Sequence, residues 1–473
     1  MKNYDLIAIG TGSAMNIIGP MINANPDMKI AVIDKDEPGG ICLTRGCIPS
    51  KLLLYPAELI RVIGTAGTFG IDVEIKNIHF NNVMERMRNH ILENIDMIRE
   101  GLSDDKNIDY YPEMAEFIAP YTLKVGKETI TSKMIFLCTG SGTVIPSVKG
   151  LDEVQYLTSD TVLEMTHLPE SIAIIGGGYI AAEYGHFFSA MGSKVTIIGR
   201  NPQFIPEEEP EVSALAKRVM SKHMELITNH EVIEVQMSDD GKKKVVGKNR
   251  NSGKEINVEA EEILVATGRG PNSDILHPEK GEIDTDSKGW IVVNEYLETS
   301  QPNIWAFGDA IGKYLFKHVA NYESTIVYYN AVLHKNVKVD YHAVPHAVFS
   351  YPEIASVGLR EKEAIEQHGE DNILIGFKKY EDTAKGKAMD AKDYFVKVIV
   401  EANTNRILGA HIIGPHASIL IHQIIPLMYT PKQSAGPIMY GMDIHPALSE
   451  VVSRAFNSLM PAAHYHHIIE HHH

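Results

Sequence analysis

The chain has 473 residues, too many for one hydrophobic core, and this length predicts about two to four domains. Its 44 Lys and Arg residues against 61 Asp and Glu residues give a net charge of −17, which argues against nucleic acid or an anionic membrane as a partner. No uncharged stretch approaches the length of a membrane span. Three cysteines cannot form a structural disulfide framework, so we expect a protein of the reducing cytoplasm.

The segment "YDLIAIGTGSAMN" predicts a buried strand over 6–9 that leads into a glycine turn and a helix. Gly10 and Gly12 let the backbone approach a pyrophosphate at the N-terminus of that helix. The pattern G-x-G-x-x-G is incomplete, because Met15 stands at the third glycine position. A second strand, "KIAVIDKD", ends in Asp34, where an acid is expected to accept hydrogen bonds from a ribose. The region therefore predicts a dinucleotide site.

The segment "SIAIIGGGYIAAEYGHFFSAMGSKVTIIGR" repeats the order of strand, glycine turn, helix and strand. Gly176 and Gly178 occupy two glycine positions, and Ala181 replaces the third glycine in a way that still allows the helix to pack closely on the strand. Here the second strand ends in Gly199 and Arg200 instead of an acid. Two such turns predict a protein that binds two nucleotides.

The stretch "GGICLTRGCIPSK" holds two of the three cysteines, Cys42 and Cys47, separated by four residues. Gly46 can adopt backbone angles that bring the two sulfurs together, and Pro49 fits the first turn of a following helix, whose positive end stabilises a thiolate. Two packed thiols or half of a metal site are the alternatives. Zinc is disfavoured, because Cys138 lies far off and no nearby histidine pair completes a tetrahedral set. The arrangement suits a disulfide that opens and closes.

Two further apolar strands end in Thr-Gly: "MIFLCTGS", with Thr139 and Gly140, and "EILVATGRGPN", with Gly268. Such segments are expected where the chain leaves one domain for the next. Another strand, "NIWAFGDA", ends in Asp309, a carboxylate at the sheet edge where ligands collect. From about Val344 onward, alternating strands and helical patterns predict an α+β region without another phosphate loop.

The motifs GxGxxx, GGxCxxxGCxPSK, Thr-Gly, GGGYIAAE, ATGRxPN, FGDA, YPExxxVG and HPxxxE follow one another along almost the whole chain. This ordered set resembles the class I pyridine nucleotide–disulfide oxidoreductases, which include dihydrolipoamide dehydrogenase, glutathione reductase, mycothione reductase and mercuric reductase. The resemblance implies an α/β fold with two Rossmann-like nucleotide-binding domains, an FAD domain interrupted by an NAD(P) domain, and a C-terminal α+β dimerisation domain. The expected ranges are 1–152 and 276–343 for the FAD domain, 153–275 for the NAD(P) domain and 344–473 for the dimerisation domain.

The resemblance also implies roles for the residues around the cysteines. Cys42 is similar to the interchange thiol that attacks substrate, and Cys47 to the thiol that faces the flavin. Lys51 and Glu183 are similar to the ion pair beside flavin N5. Tyr179 resembles the gate over the nicotinamide pocket.

Two more sets of residues take their expected roles from the same resemblance. In a homodimer, His445 would be the base that reaches the partner's disulfide, and Glu450 the carboxylate that orients it. Asp34 and Asp309 resemble FAD contacts at the ribose and beside the flavin. The residues expected to bind FAD and the coenzyme are Gly10, Gly12, Asp34, Thr139, Gly140, Gly176, Gly178, Tyr179, Arg200, Gly268 and Asp309.

The implied activity is that of an oxidoreductase acting on a sulfur group, with hydride passing from NAD(P)H through FAD to a Cys42–Cys47 disulfide and on to a substrate. Oxidation of dihydrolipoamide and reduction of a small disulfide both stay open. The flavoprotein subunit of a 2-oxoacid dehydrogenase complex is one alternative. A mercuric reductase-like metal-ion reductase is another, although the C-terminal region lacks the paired cysteines that pass mercury to that active site.

The coenzyme expected at the second glycine turn is NADP(H), with NAD(H) as the alternative. The acid that normally repels a 2′-phosphate is absent, and Arg200 can bind phosphate through two charge-assisted hydrogen bonds. The competing interpretation is that Arg200 points to solvent, since no second basic residue follows it in "NPQFIPEEEPE". The acids of that stretch are expected to oppose a phosphate if the loop folds back. No metal site is predicted. The histidine-rich end "HYHHIIEHHH" is expected to be a solvated tail or the remnant of a tag, and a weak metal binder is the less favoured alternative.

Overall fold

The computed structural model describes residues 1–471. His472 and His473, the end of the histidine-rich stretch, lie outside the described residues, as do the side chains of 469–471. The helices of the described part are Met15–Ala24, Gly40–Thr44, Cys47–Gly64, Phe80–Asp104, Tyr179–Met191, Pro210–Met220, Lys317–Val327, Glu361–His368, Ala384–Ala388, Ala417–Leu420, Ile425–Met428, Gly436–Tyr440, Glu450–Phe456 and Ala462–His471. None of them combines the length and the apolar character that a bilayer crossing needs.

The first parallel sheet has five strands, which in spatial order are Ile304–Ala306, Ile135–Leu137, Leu6–Ile9, Ile30–Ile33 and Ile108–Tyr111. The predicted strand over 6–9 is confirmed, and all four of its side chains are buried. One face of the sheet packs against helices through Ile17 and Val327, and the other packs against a four-stranded sheet through Phe117 and Leu123. Burial on both faces explains why these strands are continuous apolar runs.

The four-stranded sheet beside it consists of Lys2–Tyr4, Glu128–Ser132, Thr122–Val125 and Ala115–Ala119. The second parallel sheet consists of Leu157–Thr158, Glu262–Val265, Ser171–Ile175, Lys194–Ile198 and Glu225–Ile227. A three-stranded antiparallel sheet covers one of its faces, with the strands His230–Met237, Lys243–Asn249 and Glu255–Ala260. The helix Tyr179–Met191 packs on the other face.

The two Thr-Gly segments meet where they leave the parallel sheets. Ser141–Thr143, which follows Gly140, pairs in antiparallel fashion with Arg269–Pro271, which follows Gly268. The chain therefore leaves the first sheet and returns to it along neighbouring strands. The exact domain limits proposed from the sequence stay predictions.

The C-terminal sheet is antiparallel, with the strands Pro345–Val348, Ile354–Gly358, Ile407–Ile413, Phe395–Glu401, Ile373–Lys379 and Met460–Pro461. The predicted α/β class, with two Rossmann-like sheets and a C-terminal α+β region, is confirmed. The expectation of a solvated tail is wrong for the described part of the histidine-rich end. Residues Ala462–His471 form a helix, the ring of Tyr465 is buried, and His466 hydrogen-bonds Glu361 at 2.5 Å.

Candidate active site

A cavity of about 750 Å³ opens at the C-terminal edge of the first parallel sheet, where strand ends and their loops converge. Helix Tyr179–Met191 and the C-terminal sheet also contribute to its wall. The expected site residues among its lining are Gly10, Gly12, Asp34, Cys42, Cys47, Lys51, Thr139, Gly140, Tyr179, Glu183 and Asp309. Its size is that of a site for a cofactor or a small ligand.

The two thiols lie together in the cavity wall. Cys42 belongs to the short helix Gly40–Thr44, and Cys47 is the first residue of the next helix, two residues earlier than the sequence suggested. Gly46 makes the bend between them with φ −128° and ψ −112°, and an added Cβ there would lie 2.9 Å from the Ile41 carbonyl oxygen. Both cysteines are free, and their side chains share a hydrogen bond.

The hydrogen bond divides the charge unequally between the thiols. It raises the pKa of Cys42, and burial raises it further. The same bond lowers the pKa of Cys47 to about 7, with help from the nearby Lys51 and against the opposing effect of burial. Because Cys47 also begins a helix, the partial positive charge of the helix N-terminus favours its thiolate. Near neutral pH Cys47 is the thiol that ionises first.

An ion pair links the thiol helix to the second nucleotide region. Lys51 Nζ lies 2.9 Å from Glu183 Oε2 and 4.6 Å from the centre of the Phe349 ring. The backbone N–H of Phe349 donates to Glu183 Oε1 at 3.0 Å. Glu183 is buried, so these partners satisfy a carboxylate that would otherwise be costly to bury. The pair therefore joins three parts of the chain beside Cys47.

The first glycine turn has the shape of a phosphate cradle. Gly10 has φ +106°, and an added Cβ there would lie 2.1 Å from the Cys138 carbonyl oxygen. Gly12 faces Gly40, where an added Cβ would lie 2.6 Å from the Gly12 Cα. Asp34 accepts hydrogen bonds from the Thr11 N–H at 2.8 Å and from its hydroxyl at 2.5 Å. The acid is therefore held at the end of its strand, beside the turn.

Polar groups deeper in the cavity also fit a dinucleotide such as FAD. The Thr139 hydroxyl is buried and has no hydrogen-bond partner among the described residues, so it is available to a ligand. Asp309 accepts from the Ser141 hydroxyl at 2.6 Å, and burial raises the pKa of its carboxyl. An unpartnered hydroxyl, a glycine cradle and two strand-end acids match what a flavin dinucleotide needs.

Four of the residues expected to bind the coenzyme lie outside the lining of this cavity, namely Gly176, Gly178, Arg200 and Gly268. Gly176 has φ +134°, and Gly268 has φ +114° in the neighbouring Thr-Gly segment. Arg200 is exposed, and its carbonyl oxygen accepts a hydrogen bond from Arg250 Nη1 at 3.3 Å. Gly178 precedes the helix that carries Tyr179. The structure thus adds a second cation beside Arg200 that the sequence did not predict.

The acids that follow Arg200 are turned toward the C-terminal sheet. Glu208 hydrogen-bonds His346 and Ser356, both at 2.6 Å. Glu209 pairs with the buried Lys397 at 2.6 Å. Both acids have their own partners, so they do not oppose a phosphate at Arg200 as the sequence had suggested. Lys397 also pairs with Glu211 at 2.8 Å and with Glu361 at 2.6 Å, so this lysine binds three carboxylates.

The predicted histidine–carboxylate pair forms within the chain. His445 Nδ1 lies 3.0 Å from Glu450 Oε1, and the His445 side chain is 67% exposed. This hydrogen bond lowers the pKa of Glu450. Neither residue belongs to the lining of the cavity that holds Cys42. Exposed apolar side chains, Tyr440, Met442 and Ile444, directly precede the histidine.

Two cavity residues have no counterpart in the sequence analysis. Lys317 starts the helix Lys317–Val327, reaches the Ser13 hydroxyl at 3.0 Å and contributes positive charge near both thiols. His346 lines the opposite part of the wall and is bonded to Glu208. Each lies in a segment of ordinary composition, so its position depended on the tertiary fold.

Two sequence models of one family match the chain. "Pyridine nucleotide-disulphide oxidoreductase" matches residues 4–332, and the dimerisation domain of the same family matches residues 344–456. Among solved structures, a Cu(II) complex of the HOCl-induced flavoprotein disulfide reductase RclA from Escherichia coli has a TM-score of 0.85 at 25% identity, over 97% of this chain and 99% of that chain.

Curated relatives align over most of the chain as well. Mycothione reductase of Mycobacterium tuberculosis is 35% identical over 97% of this chain and 100% of that protein. Dihydrolipoyl dehydrogenase of Synechocystis sp. is 30% identical over 96% of this chain and 98% of that protein. Mercuric reductase of Bacillus cereus is 31% identical over 89% of this chain and 66% of that protein. With family models over both of its parts and relatives of this similarity, the chain belongs to the pyridine nucleotide-disulphide oxidoreductase family.

Proposed function

We propose that this protein is an FAD-dependent oxidoreductase that moves two electrons between NAD(P)H, a Cys42–Cys47 disulfide and a disulfide or dithiol substrate. The observation that carries the proposal is the pair of hydrogen-bonded thiols in the wall of the dinucleotide-shaped cavity. When bound, FAD supplies the two-electron chemistry that connects a nicotinamide with a disulfide. Of the residues that line the cavity, Gly10, Gly12 and Asp34 would hold its dinucleotide part, and Cys47, Lys51 and Asp309 would lie beside its reactive part.

The thiols carry the exchange with substrate. In the reducing direction, the Cys42 thiolate attacks one sulfur of the substrate disulfide, which breaks that S–S bond and forms a mixed disulfide. The departing sulfur takes up a proton and leaves as a thiol. The Cys47 thiolate then attacks Cys42 Sγ, so the second substrate thiol leaves and the Cys42–Cys47 disulfide forms. One disulfide is reduced as one dithiol is oxidised, and NAD(P)H restores the electron pair.

The exchange needs a base, because the hydrogen bond to Cys47 and burial keep the proton on Cys42. The His445–Glu450 pair supplies it from the partner subunit of a homodimer. A buried carboxylate beside the ring fixes its orientation and stabilises the imidazolium. The exposed apolar residues before His445 support an interface at this face. One active site is therefore shared by two chains.

Mixed dimers test this shared site. We expect inactive His445→Ala subunits and inactive Cys42→Ser subunits to regain activity when mixed, because one of the two sites in each hybrid dimer is intact. The Glu450→Gln variant should also have lower activity than wild type, as His445→Ala does. A fully active monomer would contradict the arrangement.

We assign NADP(H) to the second glycine turn, with NAD(H) as the alternative. Two cations support this assignment, because Arg200 directly follows the position at which an NAD site has its strand-end acid and Arg250 bonds the Arg200 backbone. Guanidinium groups bind phosphate through paired, charge-assisted hydrogen bonds. An NADPH-dependent enzyme would act mainly as a reductase of a small disulfide. One of the relatives, mycothione reductase, is named for the reduction of mycothione.

Other substrates of the same dithiol stay as candidates. A lipoyl dithiol would suit a dihydrolipoamide dehydrogenase, alone or as a subunit of a 2-oxoacid dehydrogenase complex. A soft metal ion would suit a mercuric reductase-like enzyme, since two adjacent thiolates bind such ions well. Rates with NADPH and NADH against lipoamide, glutathione disulfide, cystine derivatives, coenzyme disulfides and Hg²⁺ separate these cases.

The test of the central assignment is spectroscopic. Partial anaerobic reduction of the FAD-loaded protein should produce a long-wavelength absorbance band from contact between the Cys47 thiolate and the flavin. The band should vanish in Cys47→Ser, persist in Cys42→Ser and be unchanged in the control Cys138→Ser. A wild-type protein that binds FAD and shows no band would overturn the proposed redox disulfide.

A further inference from the structure

A second histidine–carboxylate pair faces the cavity from the C-terminal sheet. His346, in the strand Pro345–Val348, has its Nε2 2.6 Å from Glu208 Oε1. The Glu208 side chain is 1% exposed and that of His346 is 25% exposed, and His346 lines the cavity. This pair is thus more buried than His445–Glu450, and unlike that pair it lies in the same chain's cavity.

The pair is held in its charged form. Burial alone would lower the pKa of His346, but the hydrogen bond to Glu208 and the attraction of its negative charge raise it. Burial alone would raise the pKa of Glu208. The hydrogen bond from His346 outweighs burial, so the pKa of Glu208 is lowered. Glu208 further accepts from the Ser356 hydroxyl at 2.6 Å. Because Nε2 is committed to the carboxylate, Nδ1 is the nitrogen left over, and it has no hydrogen-bond partner within residues 1–471.

Aromatic contacts fix the ring of His346 beside the helix that follows the second glycine turn. Its ring stacks on Phe316, with centres 5.8 Å apart and an interplanar angle of 1°. Phe316 in turn lies 6.5 Å from Tyr179, the first residue of that helix. His318 stacks on Phe316 too and hydrogen-bonds the carbonyl oxygen of Pro345 at 2.7 Å. The His346 ring is therefore oriented on the Tyr179 side of the cavity.

Residues 200–209, which we call the coenzyme loop, connect this histidine to the second glycine turn. The Ile205 N–H donates to the Gly177 carbonyl oxygen at 2.7 Å, and the Glu208 N–H donates to the Ile205 carbonyl oxygen at 3.1 Å. Ile205 is buried and has φ +51°. One short loop therefore begins with Arg200, rests on the glycine turn and ends with the carboxylate that holds His346.

We propose that His346 is a coenzyme-binding residue whose Nδ1–H donates a hydrogen bond to the carboxamide oxygen of the nicotinamide. The carboxamide is the polar group of that ring, and a fixed donor beside Tyr179 orients the ring in the cavity. Glu208 is a positioning residue that keeps the Nε2 proton in place, so the proton lost on deprotonation is the one on Nδ1. The inference rests on the proposed use of NAD(P)H and deepens it.

Two amide variants separate a binding role from a structural role. Gln places its amide near the position of Nε2, so His346→Gln keeps a bond to Glu208 and loses the donor at Nδ1. Asn places its amide near Nδ1, so His346→Asn keeps that donor and loses the bond to Glu208. We expect the dissociation constant of NADPH, measured by its fluorescence, to rise about ten- to hundredfold in His346→Gln and less in His346→Asn.

The matched control is His342→Gln, which breaks an exposed bond between His342 and Asp340 outside the cavity lining. It should leave NADPH binding within about twofold of wild type. The flavin is reduced before the fluorescence titration so that NADPH is not consumed, and the titration then reports coenzyme binding whether or not the thiolate band forms. Failure of the thiolate band and failure of this inference are therefore separate results. Equal binding in wild type and His346→Gln, or better binding in Gln than in Asn, would overturn the inference.

A pH profile adds a readout that a packing defect would not move. Wild-type affinity for NADPH should fall as pH rises through the raised pKa of His346, because Nδ1 then loses its proton. The charged and titratable groups acting on this ring are Glu207, Glu208 and His318, and Lys51 and Glu183 face the same cavity. In Glu208→Gln the fall should move to lower pH, and in His346→Gln it should disappear. A profile unchanged by either substitution contradicts the assignment.

Discussion

The glycine turns Gly10–Gly12 and Gly176–Gly178 are held by the same backbone contacts. The Gly10 N–H donates to the Ile33 carbonyl at 2.7 Å, and the Gly176 N–H donates to the Ile198 carbonyl at 2.9 Å. In both turns, a Cβ on the first glycine would lie 2.1 Å from the carbonyl oxygen of the residue before a Thr-Gly pair. The two regions therefore share one arrangement of strand, glycine turn and Thr-Gly segment.

The turns differ at the end of the neighbouring strand. Asp34 ends the strand beside the first turn and is fixed by Thr11. At the second turn Gly199 takes this place, and an added Cβ there would lie 3.2 Å from the Gly177 Cα. The second turn therefore has no strand-end acid at the point where the backbones of Gly199 and Gly177 approach each other, and the residue after Gly199 is Arg200. On the proposed assignment, the shared turn would bind a pyrophosphate in both regions, whereas the residue at the strand end would select the rest of the nucleotide.

The largest expected effect comes from replacing the first glycine of either turn by alanine. Gly10→Ala forces a side chain into positive φ and against a backbone oxygen, so the purified protein should carry less than about a tenth of the wild-type FAD. Gly176→Ala should keep its FAD and lose reduction by NADPH. FAD absorbance and stopped-flow flavin reduction measure the two losses. Loss of FAD in both variants would contradict the assignment of FAD to the first turn and of NADPH to the second.

The next effect concerns the acid of the first turn. Asp34→Asn removes a charged acceptor, and hydrogen bonds to charged groups contribute about 1.5–3 kcal/mol, so FAD affinity should fall about ten- to hundredfold. NADPH binding should stay within about twofold, because Asp34 belongs to the other turn. Asp96→Asn, which loses an exposed ion pair with Arg99 outside the cavity lining, serves as the control. Equal FAD affinities of wild type and Asp34→Asn would remove Asp34 from the binding site.

Arg200→Glu tests the strand end of the second turn. It puts an acid directly after the position at which an NAD site has one, so the ratio of kcat/KM for NADPH to that for NADH should fall about ten- to hundredfold. The measurement uses both coenzymes with wild type and variant under one salt concentration. A wild type that prefers NADH tenfold, or an unchanged ratio in the variant, would favour a dihydrolipoamide dehydrogenase-like enzyme.

The smallest expected effect is that of Arg250→Ala. Arg250 is exposed and reaches the site from the antiparallel sheet, where it bonds the Arg200 backbone. Its removal should lower the preference for NADPH about threefold to tenfold, less than Arg200→Glu does. Lys254→Ala, in the same turn between the strands Lys243–Asn249 and Glu255–Ala260, is the matched control. A larger effect from Arg250 than from Arg200 would reverse their assigned order.

Local sequence patterns were enough to predict the two glycine turns and the strands that precede them. Gly10, Gly176 and the strands that precede them were identified because a glycine turn between an apolar strand and a helix is visible within about twenty residues. The proximity of Cys42 and Cys47 was likewise predictable, since only four residues separate them and Gly46 makes the bend between their two helices. The ordered motifs then indicated the family, and with it the Lys51–Glu183 pair.

Tertiary structure alone decided which distant side chains complete these sites. Glu208 and His346 are 138 residues apart, and Arg200 and Arg250 are 50 residues apart, with no periodicity or motif to connect them. The acids after Arg200 were expected to oppose a phosphate, and the fold instead gave Glu208 and Glu209 partners in the C-terminal sheet. A short segment determines its own turns through backbone geometry, but the partner of a buried charge depends on which surfaces the packed domains bring together.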